Sequence, residues 1–148
     1  MNTIHQSLGY LLNTAARLIK RELDEQLRVY DITTSQWAIL KLLDREDNLS
    51  QAQIAARLNA DRATCGSVIE KMIKKELAAK ELSASDRRSY LVKITPEARG
   101  IVKEVSEIAN RANTKALENI CGEDRDAFAR CLQVVITNLG GEADGMES

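Results

Sequence analysis

Large rings are scarce in this chain: one Phe and one Trp stand in 148 residues, with a single His and three Cys. The length is that of one domain, so its core must rest on aliphatic side chains, and helix is the expected class. Three widely spaced cysteines, odd in number, do not make a disulfide framework. There is no Cys-x-x-Cys and no second His, so no metal and no cofactor is expected. No apolar run approaches the roughly 20 residues that a bilayer span needs, and Met1–Gln6 is not a basic leader before an apolar stretch. Both absences point to a cytoplasmic protein without a membrane partner. A catalytic set is missing too: without paired His, a Gly-rich phosphate loop or an isolated carboxylate pair, an enzyme has no residues to rest on. No internal repeat and no low-complexity linker divides the chain.

What is present is concentrated in the middle. The formal net charge is only −1, yet residues 50–95 carry 9 Lys/Arg against 5 Asp/Glu, while residues 96–148 carry 6 against 10. A basic middle in an acidic chain is the electrostatic footprint that phosphate contact requires. The same stretch has the punctuation of two short helices and a hairpin. Ser50-Gln51-Ala52-Gln53 fits a capping box, and Ile54, Ala55 and Leu58 follow at helical spacing. Asn59-Ala60-Asp61 then breaks the period with turn and N-cap chemistry. From Asp61 a second helix places Cys65, Val68, Ile69 and Met72 on one stripe, leaving Arg62, Ala63, Gly66, Ser67, Glu70 and Lys74 on the other side. After Leu77 the period becomes two, with Tyr90, Val92 and Ile94 alternating against Leu91 and Lys93 around a polar tip at Ser83–Ser89. Two helices joined by a short turn, followed by a basic hairpin, read as a winged helix-turn-helix. Its second helix would lie in a DNA major groove and present Arg62, Ala63, Thr64 and Ser67.

Amphipathic helices flank this module. Ile4, Leu8, Leu11, Leu12, Ala15, Ile19, Leu23 and Leu27 follow helical spacing, and a shorter helix opens on the capping box of Thr33 and Gln36 with Trp37, Leu40 and Leu43 inward. Thr95-Pro96 reads as N-cap and first helical residue of a rod running to Ile120, about 25 residues and about 37 Å long. A last helix from about Glu123 aligns Phe128, Cys131, Leu132, Val135, Ile136 and Leu139 and ends at Gly140-Gly141. A domain this small has little use for such a rod, so its apolar face is expected to pack against a second copy, giving a homodimer on a roughly palindromic double-stranded DNA site. The expected organisation is an N-terminal dimerisation helix (1–32), the winged module with a two-stranded wing (33–95), C-terminal dimerisation helices (96–140) and a loose tail (141–148).

The order of motifs resembles the MarR family of transcription regulators along essentially the whole chain. It runs from Thr-x-x-Gln-Trp through Ser-Gln-x-x-Ile-Ala and Asp-Arg-x-Thr to an Asp-x-Arg wing and a Thr cap, and the most specific stretch is Asp86–Thr95. The resemblance implies a homodimer that represses nearby genes until a small molecule or an oxidant releases it. Carried over by position, Ser50, Gln51, Arg62, Ala63, Thr64, Ser67 and Lys71 face DNA, Asp86 braces the wing, and Arg87 and Arg88 reach toward the minor groove. Two departures bear on this. Ser67 stands where the family often has Arg, beside Gly66, whose lack of a side chain allows close approach to the DNA backbone. Glu76 replaces a helix-ending Gly and precedes Ala78-Ala79, poor strand formers, so a frayed first wing strand is expected.

Sensing is less sharply written. Tyr10, Arg17 and Trp37 could line a cleft for a small aromatic or anionic effector, the Arg pairing the charge and the rings stacking. Cys65 and Cys131 fall on apolar stripes and read as small core residues. Cys121 stands where Ser or Thr would cap the last helix, a setting in which thiols become reactive toward oxidants, so redox sensing is an alternative. His5 reads as a surface residue or a dimer contact. A further alternative is an interaction dimer that has lost DNA specificity.

Overall fold

The computed structural model describes Thr3, residues 6–86 and residues 88–142. Six helices and three short strands follow one another: α1 (Leu8–Leu27), a 3-10 turn (Arg28–Tyr30), α2 (Thr34–Arg45), β1 (Leu49–Ser50), α3 (Gln51–Arg57), α4 (Arg62–Lys74), β2 (Ala78–Leu82), β3 (Tyr90–Ile94), α5 (Pro96–Ala116) and α6 (Gly122–Asn138). The helix starts are those the sequence marks. Thr33 and Ser50 each complete a reciprocal capping box with the Gln three residues on, and Thr95 caps α5 with Pro96 at its first position. Asn59 and Glu76 end α3 and α4 in the left-handed region, at φ 50° and 59°. Asn tolerates that region; Glu does so at a cost, in place of the Gly usual there.

Apolar periodicity becomes a core in which Leu27, Ile39, Leu40, Leu43, Ile54, Ile69, Met72, Val92 and Val105 lose essentially all contact with solvent. These residues come from α1, α2, α3, α4, β3 and α5, so the reading module and the first half of α5 share one interior. The sheet has three strands in the order β1-β3-β2, all antiparallel: the two-stranded wing of β2 and β3, with a further short strand on the other side of β3. The added strand is only Leu49 and Ser50, paired with Val92 and Leu91. Nor is the first wing strand frayed: all five residues of β2 pair, from Ala78 opposite Ile94 to Leu82 opposite Tyr90. Burial of Ala78 and cross-links from Lys80 to Glu70 and from Lys93 to Glu81 compensate for weak strand propensity.

The flanking helices differ in their bounds. The first described turn of α1 begins at Leu8; Ile4 and His5 lie outside the described residues. The rod α5 stops at Ala116, giving 21 residues and about 31 Å. Arg125 folds back to donate to the carbonyls of Ile120 and Leu117, at 2.7 and 2.9 Å, and fixes the α5–α6 corner. Burial departs furthest from the apolar stripes at the ends of the chain. Leu27 is the one buried residue of α1, and α6 has none; Phe128, Val134 and Leu139 are 49, 57 and 83% exposed. Cys131, expected on a packed stripe, is exposed for the same reason. The C-terminal end of α6 nevertheless returns to the module. The Asn59 side chain donates to the Glu142 carbonyl at 3.1 Å and accepts from its N–H at 2.8 Å, with Arg57 3.5 Å from the Glu142 carboxylate. Gly141 and Glu142 are therefore anchored rather than part of a loose tail; residues 143–148 lie outside the described residues.

Candidate nucleic-acid interface

Asp61 opens α4 as a strong cap. Its carboxylate accepts the Thr64 N–H at 2.9 Å and the Thr64 hydroxyl at 3.0 Å, and these bonds, the backbone one foremost, hold it below the ordinary carboxylate range. Cys65, Ile69 and Met72 turn inward; Arg62, Ala63, Thr64, Ser67, Lys71 and Lys74 are exposed together. Burial raises the Cys65 thiol, with the Asp61 charge adding to the effect, so this cysteine behaves as a packed group.

The start of α3 lies beside this face. The Ser50 hydroxyl is committed to the capping box, accepting from Gln53 N–H at 3.1 Å. Gln51 is different. It is half-buried, and its side chain lies across α4 at Gly66: a β-carbon at that glycine would overlap the Gln51 amide nitrogen and come within 3.3 Å of Cδ. What approaches Gly66 within the chain is thus a side chain of α3. Helical spacing shows a missing β-carbon at residue 66, but not the long-range neighbour that fills its place.

The wing tip is built by Asp86. Its carboxylate accepts the backbone N–H of Arg88 at 3.0 Å and the Ser89 hydroxyl at 3.2 Å, while its carbonyl accepts the Ser89 N–H at 3.0 Å. Asp86 therefore shapes the turn through the backbone of Arg88. Arg88 is exposed; Arg87 lies outside the described residues.

Charge pairing separates the cations of the module into two groups. Arg57, Lys75, Lys80 and Lys93 are held by Glu46 and Glu142, Asp31, Glu70 and Glu81 respectively. Among the described residues, Arg62, Lys71, Lys74 and Arg88 enter no ion pair and are exposed, as is Lys41 of α2, whose ammonium stands over the Trp37 ring. Positive charge is left unneutralised on the outward face of α4 and at the wing tip, where a polyanion can meet it. Lys74 belongs to this group through its place in the last turn of α4.

The residues considered for sensing are dispersed. Tyr10 and Arg17 are exposed on α1, whereas Trp37 is only 3% exposed, with the Lys41 ammonium 5.9 Å from its ring centre. A cavity of about 320 Å³ between α1 and α5 is lined by Leu18, Ile19, Arg21, Glu22, Ala112, Lys115 and Ala116, and by none of those three. Cys121 is exposed at the N-cap of α6, and its side chain makes no capping hydrogen bond. No group of three or more His, Cys, Asp or Glu among the described residues could hold a metal ion, and no helix there is long and apolar enough to cross a membrane.

Comparison with known proteins agrees with this geometry. The model of the MarR family matches residues 30–89, which hold α2, the helix-turn-helix, β2 and the wing tip and end just before β3. The uncharacterised helix-turn-helix transcriptional regulator YwoH of Bacillus subtilis is 25% identical over 136 residues, which is 92% of this chain and 98% of YwoH. Among solved structures, Bordetella bronchiseptica BpsR, described with regulation of its DNA binding by 6-hydroxynicotinic acid, superposes with a TM-score of 0.85. It is 23% identical, with 91% of this chain and 96% of BpsR covered. The S. aureus MepR–DNA complex gives a TM-score of 0.81 at 21% identity over 89% of this chain and 98% of MepR. At these identities the structural likeness establishes the fold, a winged helix-turn-helix with long terminal helices.

Proposed function

We propose that the chain, whose residues 30–89 match the MarR family model and which is similar to a helix-turn-helix transcriptional regulator over most of its length, is a DNA-binding regulator of that family rather than an enzyme, acts as a homodimeric repressor on a pseudo-palindromic operator and is released by a small-molecule effector. The observation that carries this reading is the set of unpaired, exposed cations, Arg62, Lys71, Lys74 and Arg88, around the polar face of α4. Thr64, Ser67 and Ala63 face the major groove, with Ser50 and Gln51 at its edge, and the wing carries Arg87 and Arg88 toward the minor groove. A guanidinium suits the negative potential of a narrow minor groove. The second copy is supported by the apolar faces of α1 and α6, where Leu8, Leu11, Phe128, Val134 and Leu139 are all exposed in the single chain. Two-fold symmetry then sets two recognition helices about 34–36 Å apart, one turn of DNA. The reading puts the protein with the DNA in the cytoplasm.

For the effector, Arg17 supplies charge for an anion and Tyr10 lies two turns earlier on α1, while Trp37, buried in the single chain, joins them only if binding rearranges the module. Trp37 is the chain's one tryptophan, so its fluorescence reports on the site without competition. The deciding experiment is binding to the DNA upstream of the protein's own gene across a salt series, with footprinting, and with or without salicylate-like aromatics or peroxide. Two protected half-sites about 10 base pairs apart and a steep salt dependence support the dimeric reader. Release by the aromatic, with a change in Trp37 emission, supports the effector site; release by peroxide alone moves sensing to the exposed Cys121. Binding no better than to random duplex overturns the repressor.

A further inference from the structure

Apart from Arg62, whose guanidinium is free for a phosphate or a guanine, the outward side chains that open α4 are poorly equipped to recognise a base pair. Ala63 has no polar atom, Ser67 offers a short hydroxyl, and the Thr64 hydroxyl is already given to Asp61 at 3.0 Å. Yet a long amide lies against this helix from outside it. Ser50 and Gln53, on either side in sequence, spend their side chains on the capping box, whereas the Gln51 amide makes no hydrogen bond among the described residues. Gly66 supplies its bed, since a β-carbon there would occupy the space of the amide nitrogen.

We propose that Gln51, laid over Gly66, is a specificity-determining side chain of the interface and reads an adenine in the major groove. This rests on the reading that α4 enters that groove. A carboxamide presents one donor and one acceptor side by side, matching adenine N7 and N6 in the bidentate arrangement that distinguishes this base from the others. An amide free to rotate would lose conformational entropy on making both bonds. One packed beside Gly66 has already given up much of that freedom. In this arrangement α3 reads through the surface of α4, and Gly66 is a positioning residue whose lack of a side chain is the feature used.

The test is selection of bound duplexes from a random pool by the full-length protein and by Gln51→Ala, Gln51→Glu and Gly66→Ala, with salt dependence measured on the selected site. Alanine favours helix over glycine, and the overlapped atom is the end of a flexible side chain, so Gly66→Ala folds and keeps or raises its thermal midpoint. The wild type should select an adenine at one position of each half-site. Gln51→Ala and Gly66→Ala should lose that preference by roughly tenfold or more, with half-site spacing and salt slope unchanged. Gln51→Glu keeps the length but replaces the donor with an acceptor, and should move the preference at the same position toward cytosine. An unchanged adenine preference in Gln51→Ala overturns the assignment to Gln51, and one unchanged in Gly66→Ala overturns the role of the glycine bed. If the wild type selects a palindrome that the Gln51 variants share, this inference fails while the regulator stands; if the wild type selects no sequence, both fail.

Discussion

The hydroxyl of Thr95 joins the end of the recognition helix to the start of α5, and removing it probes how firmly the two are coupled. As N-cap of α5 it accepts the Ala98 N–H at 3.2 Å, and it donates to the Glu76 carbonyl at 2.7 Å. Thr95→Val keeps the branched shape and deletes both bonds. Loss of an N-cap typically costs about 1 kcal/mol, and Ala98 is fully buried, so little water can replace the lost partner. The second bond contributes roughly 0.5–1 kcal/mol, because Glu76 is exposed and water can reach its carbonyl. Together these give about 1.5–2 kcal/mol, a fall in thermal midpoint of roughly 3–8 °C for a chain of 148 residues. Urea unfolding measures it, at one fixed protein concentration because association of the proposed kind makes the midpoint depend on concentration. Thr95→Ser should recover most of the loss with an unchanged denaturant slope. A Val variant within about 0.5 kcal/mol of wild type, or a Ser variant as unstable as Val, would refute the two-bond account.

Four further outcomes are expected. Glu76→Gly relieves the left-handed backbone at φ 59° and should stabilise the protein by up to about 1 kcal/mol in the same assay; destabilisation would mean that the Glu side chain has a role the backbone does not reveal. Arg88→Ala should weaken DNA binding and reduce the magnitude of the logarithmic salt slope by about 0.9, and an unaltered slope would remove Arg88 from the DNA interface. Phe128→Asp places a charge on the exposed face of α6; sedimentation should show monomers and operator binding should fall, whereas an intact dimer at micromolar concentration would place the interface elsewhere. Asp61 has a carboxyl lowered below its ordinary value of 3.8, so its contribution is fully present above that value and is lost as pH falls through the lower folded value. Asp61→Asn should therefore differ from wild type at pH 6 and converge with it in strong acid, and a gap that persists there would assign the effect to something other than the charge.

The reading module was the most legible part of the chain because its signals are local. Capping boxes at Thr33 and Ser50, the Asp61 cap and the Thr95-Pro96 start depend on residues three apart, and the structure forms all of them. Alternation likewise put Tyr90, Val92 and Ile94 on one face of β3; Val92 and Ile94 are buried there, while Tyr90, at the wing end of the strand, is exposed. What local pattern does not carry is contact across the chain. Leu49 and Ser50 are too few to show strand periodicity, and become a strand only because β3 offers them an edge. The end of α5 was overrun because Leu117 and Ile120 continue the apolar period, while the break is made by Arg125 from the following helix. The stripe of α6 was correctly apolar, but apolar spacing does not specify burial within the same chain. Gly66 was visible as an oddity in a helix; its partner Gln51 lies 15 positions earlier.

The two-way bond between Asn59 and Glu142 gives the protomer the character of a braced frame. The chain leaves the winged module along α5 at Thr95, turns the corner that Arg125 locks, and returns along α6 to the turn directly before α4. In the proposed dimer, a shift of α6 would reach the turn before the reading helix through this pair of hydrogen bonds, so the contact between copies and the setting of α4 would share one link within each chain.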